Sequence, residues 1–236
     1  MTKQELIFNE EKHTYHVGEQ ELISVTKFVS WFFPEFDKEE VSQKVADRRG
    51  VTQEEILDEW DEIAETGTLI HAEIEEFING IVDITTKKSF YGAKFYTDTI
   101  HKRNDVTPEW KIFSTELGLA GTIDLFTKDK LEGTCAIVDW KTNEKLTDQG
   151  WGTGVRESTE HIPNSKLHKY YLQLNVYAYI LQRNYGIPID GMFIVQLRED
   201  GYEEFVVPDM QRDVENMIKE WRMREDEQST NKTRDR

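Results

Sequence analysis

The sequence predicts an α+β or mixed α/β core carrying a helical N-terminal elaboration, and three observations predict it. Helical and strand-like runs follow one another as helices, a meander of strands, a helix, more strands and a last helix. Leu167, Tyr170, Tyr171, Leu174, Tyr177, Ala178 and Leu181 recur with a 3.6-residue period, which marks a helix over 166–183. The run Ala136 to Lys141 is largely apolar on both alternating faces, as suits a central strand.

At the N-terminus, residues 5–25 read as a β-hairpin. Leu6-Ile7-Phe8 and Thr14 to Val17 are strand-like, with Asn9-Glu10 and Gly18-Glu19 as turn residues. Ser24-Val25-Thr26 then opens a helix that runs through Phe33 and stops at Pro34. Helices are expected over 38–48, 53–65 and 67–80, punctuated by Gly50 and Gly67, and another over 88–103. Strands follow at 110–115, 119–127 and 134–141. Residues 143–165 hold Gly150, Gly152, Gly154 and Pro163 with little periodicity, which reads as a functional or mobile loop, glycine-rich as a movable gate would be, with a disordered connection as the plain alternative. Strands near 191–197 and 202–207 and a helix over 209–223 complete the pattern, and the end EDEQSTNKTRDR reads as a frayed tail. The expected organisation is a hairpin and helical elaboration over 1–66, a core over 67–227 and a flexible tail over 228–236, in one compact unit.

Composition narrows the class. At 236 residues the chain can bury one sizeable core. With 37% hydrophobic and 32% charged residues it falls among soluble globular proteins. No apolar run approaches the ~20 residues of a membrane helix, and the first residues have no signal-peptide pattern; a cytoplasmic protein with no membrane partner is expected. The single cysteine, Cys135, excludes a disulfide framework and a four-cysteine zinc or iron–sulfur site. Set in an apolar run, it reads as a small buried hydrophobe. The net charge of −17 counts against a nucleic-acid partner, which calls for a basic footprint. Binding needs only a local patch, however, and carboxylates gathered to hold cations are offset by those cations.

Five groups of residues carry chemistry. On the strand at 134–141, Asp139 and Lys141 share a face with Ile137. Their burial is costly unless they are paired or bound to metal; the plain alternative is an exposed ion pair at a strand end. Asp124 stands among apolar neighbours after Gly121, so two acids on adjacent strands could share one divalent ion, and oxygen ligands favour magnesium or manganese. His71 and Glu75 lie four apart beside the stripe of Ile70, Ile74, Phe77 and Ile78, either as ligands or as boundary residues of a helix. Lys169, Gln173 and Tyr177 form a row at i, i+4 and i+8 that could donate to a phosphate or to the lysine beside the metal, or could simply bound a buried face. In the 143–165 loop, Trp151 and Arg156 are of the kind that stack bases and grip backbone.

In order, the chain reads G-T-L-I-H-A-E-I-E, G-L-A-G-T-I-D, I-V-D-W-K-T and Q-L-N-V-Y. Over roughly residues 67–180 this resembles the RecB-like branch of the PD-(D/E)XK nucleases, whose motifs run G-x-x-x-H-x-x-x-E, G-x-x-D, (D/E)-x-K and Q-x-x-x-Y. VDWKTNEK is also similar to the mitochondrial genome maintenance exonucleases, and FNEEKHTYHV with ISVT to phage-encoded relatives. The resemblance implies a restriction-endonuclease-like core, a central mixed sheet flanked by helices. It implies His71, Asp124 and Asp139 as metal ligands with the carbonyl of Trp140, and Glu75 as an acid acting through water. Lys141 would orient or activate the attacking water, braced with the scissile phosphate by Gln173 and Tyr177. Glu116, just before the G-L-A-G-T-I-D run, is a weaker candidate. Relatives with an iron–sulfur cluster carry four cysteines, so none is expected here. The implied function is magnesium- or manganese-dependent exonucleolysis of DNA that is single-stranded or has free ends. An endonuclease or resolvase on the same core, and a non-catalytic acidic binding protein, are the alternatives.

Overall fold

The computed structural model describes residues 6–9, 14–81, 83–100 and 104–234, with the backbone alone of 104 and 225–234. The expected turn at Glu10, the last residues of the 88–103 helix and the final two of the tail lie outside the described residues. The elements are β1 (Leu6–Asn9), β2 (Thr14–Val17), β3 (Gln20–Ser24), α1 (Val25–Ser30), α2 (Lys38–Arg49), α3 (Gln53–Ile78), α4 (Lys87–Phe95), β4 (Asn104–Ser114), β5 (Leu119–Asp129), β6 (Cys135–Lys141), α5 (Lys166–Ile180), β7 (Gly191–Leu197), β8 (Tyr202–Val206) and α6 (Gln211–Arg234). Single π-helical turns, Tyr96–Ile100 and Leu181–Tyr185, extend α4 and α5.

The eight strands form one mixed sheet in the order β1-β2-β3-β5-β6-β7-β8, with β4 also pairing β5. β3 runs parallel to β5 and β6 parallel to β7; the other pairs are antiparallel. Helices cover both faces. On one, Phe28 of α1, Leu174 of α5 and Met217 of α6 pack with Ile112, Ile123, Ile137 and Ile194. On the other, Ile70 and Ile74 of α3 and Phe95 of α4 pack with Leu125, Val138, Trp140 and Val195. β6 is therefore buried on both sides, as its unbroken apolar character requires. This is the mixed α/β architecture, a central sheet flanked by helices, that the sequence predicts.

Several boundaries differ from expectation. Gln20–Ser24 adds a third strand to the N-terminal hairpin. The expected break at Gly67 is absent: Thr52 and Glu55 form a capping box, and α3 continues to Ile78. Ile56, Ile70 and Ile74 keep one buried face across the glycine, and this packing outweighs its cost of ~1 kcal/mol. β4 begins at Asn104, before Pro108; proline argues against an interior strand but is tolerated at an edge, and among the described residues β4 pairs with β5 alone. The segment expected to fray is helical through Arg234, because nothing in it stops a helix.

The 143–165 segment is not the open gate its glycines suggest. Gly154 N–H donates to Ile162 O at 3.0 Å, Asn164 N–H to Gly152 O at 3.0 Å and Val155 N–H to Phe32 O at 2.9 Å. A Cβ on Gly150 would stand 2.0 Å from Asn164 O, and one on Gly154 2.2 Å from Thr159 Oγ1. These glycines permit close packing.

α3 and α4 are joined through a buried acid. Glu73 accepts from the N–H of Thr85 at 3.1 Å and of Thr86 at 3.3 Å, and from the Thr85 hydroxyl; Thr86 in turn caps α4. Burial pushes this carboxyl up, but hydrogen bonds from Ser89, Thr85 and Thr86 outweigh it and hold the group below the usual carboxylate range. A depressed carboxyl contributes stability that is complete above the ordinary range and lost as pH falls through the lower, folded-state value. Glu73→Ala is expected to cost about 2–4 kcal/mol at pH 7, the worth of hydrogen bonds to a charged group. The cost should shrink toward pH 3. Urea unfolding at both pH values checks this, and equal losses would show that the charge is irrelevant.

Candidate active site

The candidate site lies where one edge of β5 is shared by two strands. β3 pairs there through Ile23–Leu119 and Ser24–Ala120, and β6 from Leu125–Val138 to Lys128–Cys135. Among the described residues, no strand pairs with 121–124 on that edge. α5 fills the fork with Tyr177 and Gln173. A Cβ on Gly121 would lie 2.5 Å from Tyr177 Cε1, so the glycine of the G-x-x-D motif makes room for the ring. Asp124 spans the fork itself: its Oδ2 accepts the Trp140 N–H at 2.8 Å, replacing the ladder bond that divergence removes.

Register brings three acids together. Pro108 pairs with Leu125 and Trp110 with Ile123, which puts Glu109 opposite Asp124. Asp139 lies one residue past Val138, at the rung where β5–β6 pairing ends, close enough to Asp124 for the two charges to act on each other. Ile123 and Phe126 both face the α1/α5 core although three residues apart, so the pleat slips at this rung. Glu109 has φ of +46°, the one non-glycine residue with positive φ among those described. Such strain costs about 1–3 kcal/mol and collects at functional sites.

His71 reaches the row from α3, its Nδ1 3.4 Å from Asp124 Oδ2. His71, Glu109 and Asp124 each offer a ligand atom within 4.8 Å of one another. Asp139, 3% exposed, takes Gln173 Nε2 at 3.4 Å on Oδ1, and Gln173 also donates to the Tyr177 hydroxyl at 3.1 Å. Asp139 Oδ2 stands 2.5 Å from Lys141 Nζ, a close ion pair. The imidazole and two carboxylates of that group, with Asp139 beside them, make a donor set that suits a hard divalent cation.

The charges strain against one another. Burial pushes Glu109 up to about 8, helped by Asp124, Glu75 and Asp139 and opposed by Lys111. Burial also pushes Asp139 up, to about 6, with Lys141 pulling it down and Asp124 pushing it higher. For Lys141, burial alone would lower the pKa, but Asp139 and Asp124 outweigh it and hold the ammonium above the usual lysine range. The Tyr170 ring lies 4.4 Å from Lys141 Nζ, a cation–π contact, and the Tyr170 hydroxyl donates to Asn143 Oδ1 at 3.1 Å. Tyr177 is pushed well above its ordinary value, chiefly by burial, and is a neutral hydroxyl.

Of the residues singled out from sequence, His71, Asp124, Asp139, Lys141, Gln173, Tyr177 and the Trp140 backbone converge here. Glu75 joins His71, Glu109 and Lys111 in lining a cavity of about 940 Å³. The Trp140 indole is core, on the α3/α4 side. Gln173 touches Asp139, where the family motif implies a brace on Lys141. Lys169 and Arg156 lie apart, lining a second cavity of about 780 Å³. Trp151 is 95% exposed and lines neither. Glu116 forms a surface ion pair with Arg222 at 2.8 Å and takes no part. Sequence reasoning missed Glu109, Lys111 and Tyr170. Glu109 and Lys111 follow a proline that hides the strand carrying the acid, and Tyr170 is absorbed into an apolar stripe. The usable signal was an acid one residue after a proline, in a segment that alternates once the proline is allowed at an edge.

No curated protein matches the chain. Among solved structures, that of SSO0001 is similar to it at 15% sequence identity with a TM-score of 0.42, covering 86% of this chain and 77% of that one, a likeness that carries no argument. The family model for the PD-(D/E)XK nuclease superfamily matches residues 33–234, a span that takes in α2 through α6, the row of acids and Lys141. With that share of its length matched, the chain belongs to the PD-(D/E)XK nuclease superfamily.

Proposed function

We propose that the protein is a magnesium- or manganese-dependent DNA exonuclease of the RecB-like type, akin to phage-encoded and mitochondrial genome maintenance exonucleases, that acts in the cytoplasm on single-stranded or end-containing DNA. Metal-dependent cleavage of nucleic acid is the chemistry of its superfamily. The observation that carries the reading is the group of acids Glu109, Asp124 and Asp139 beside the half-buried cation Lys141.

His71, Glu109, Asp124 and Asp139 would hold the ion, with the Trp140 carbonyl as a further ligand and Glu75 acting through water. When bound, a divalent cation supplies charge neutralisation at the phosphoryl oxygen and an acidified water. The chain's own groups do the rest. Lys141 remains protonated at neutral pH, so it donates to the attacking water or the phosphoryl oxygen and does not act as a base. Gln173 fixes the rotamer of Asp139 and is itself fixed by Tyr177. Lys111 in the large cavity is a cation available to a phosphate. Phe8 and Ala64 of the N-terminal elaboration line that cavity with His71, which supports a role for the elaboration in restricting access to strands with an end.

Closed circular single-stranded DNA compared with the same molecule linearised tests the reading. With magnesium or manganese, the linear form is expected to be degraded and the circle spared. Equal rates would make the enzyme an endonuclease, and no cleavage of either would leave a non-catalytic binding protein.

A further inference from the structure

The second cavity is built differently from the first. It lies between α1, the turn after it, the Val155–Arg156 segment and the first turn of α5. Lys27, Arg156 and Lys169 line it against one acid, Glu35, in a protein of net charge −17. Among the described residues none of the three cations is paired with a carboxylate. Arg156 lies flat on Trp31, its guanidinium carbon 3.9 Å from the ring centroid, and its Nε is buried with no hydrogen-bond partner. Lys169 Nζ lies 5.0 Å from the Phe33 ring centroid. Aromatic faces hold both cations in place and leave their N–H groups free for an anion. Burial, with Lys166 nearby, lowers the Lys169 pKa, a cost that a bound anion would remove.

Two further features say which anion. Phe36 stands at the cavity 64% exposed, a large ring whose centroid lies 6.0 Å from that of Trp60. Lys169 lies one turn of α5 before Gln173, which touches Asp139, so the two positions are offset by about 6 Å along the helix axis. Three cations lining one cavity with an exposed ring suit one nucleotide of a single strand, whose base is free to stack; a paired base in a duplex is not.

We infer that this cavity is a nucleotide subsite for single-stranded DNA, with Lys27, Arg156 and Lys169 on a backbone phosphate next to the cleaved one and the base against Phe36. The inference rests on the nuclease reading above and adds to it where the strand leaves the acid row.

The test is binding of a short labelled single-stranded DNA by fluorescence anisotropy, with calcium in place of magnesium and strand integrity checked on a gel, across a salt series. Lys169→Ala and Arg156→Ala are each expected to weaken binding about five- to tenfold and to flatten the slope of log Kd against log salt by about 0.7, one phosphate contact on a single strand. Phe36→Ala is expected to weaken binding about tenfold with the slope unchanged, because stacking releases no counterions. Lys27→Ala, at an exposed position, gives the same readout as the other cation variants if Arg156→Ala does not fold. Cation variants that retain wild-type affinity and slope, beside a wild type that binds and cleaves, would overturn the subsite alone. A wild type that neither binds nor cleaves would overturn the nuclease reading and the subsite with it.

Discussion

Asp139→Asn is expected to lower cleavage by on the order of a thousandfold or more while the protein stays folded. One oxygen of Asp139 pairs with Lys141 and the other accepts from Gln173, beside the clustered ligand atoms of His71, Glu109 and Asp124. Asparagine preserves the shape and the Gln173 contact but removes the charge that holds both a cation and Lys141. Lys141→Ala should separate the two roles. If the ammonium acts in the transition state, kcat falls by a hundredfold or so while KM barely moves. A raised KM with normal kcat would make Lys141 an anchor for the ground-state phosphate. Circular dichroism confirms the fold, and undiminished cleavage by the wild type in excess EDTA would sink the metal-dependent mechanism outright.

Glu109 gives the second large effect, on the stability of the metal-free protein. Its folded pKa is about 8 against an ordinary value of 4.5. Between those values the folded chain keeps a proton that the unfolded chain has released. The associated stability is therefore full below about pH 4.5 and falls as pH rises toward 8, by ~1.4 kcal/mol per unit and at most about 4–5 kcal/mol. Glu109→Gln should remove that slope, so that wild type and variant differ little near pH 5 and the variant is the more stable at pH 8. Magnesium should compensate in the wild type, raising its Tm more at pH 8 than at pH 5, because the ion takes the place of the proton. Urea unfolding in EDTA at the two pH values decides it; parallel curves for wild type and variant would show that Glu109 ionises freely.

Much of the site was legible because its motifs are local. A strand that is apolar on both faces has to be central, and an acid and a lysine near its end then have to be paired or bound. The stripe of α5 likewise announced the helix that delivers Gln173 and Tyr177. Misreadings came where local signals were overruled. Gly67 is a helix breaker by propensity, but the face shared by Ile56, Ile70 and Ile74 carries α3 through it. Gly150 and Gly154 suggested mobility, yet the atoms that crowd them belong to Asn164 and Thr159 across the loop.

The sequence by itself determined the chemistry: which residue types are available, on which strands and helices, and that oxygen ligands with an imidazole call for a hard cation. Only the tertiary structure decided the assembly. Pairing of β4 with β5 brought Glu109, hidden behind Pro108, into line with Asp124, and the fork between β3 and β6 opened the gap that Asp124, Gln173 and Tyr177 fill. It also carried Lys169 and Arg156 away from the acids into a cavity of their own. The reason is the range of the forces that set each feature. Periodicity, capping and motif spacing act within a few residues, whereas strand register and helix-on-sheet packing are fixed by which distant surfaces bury each other best, and no short window of sequence contains both partners.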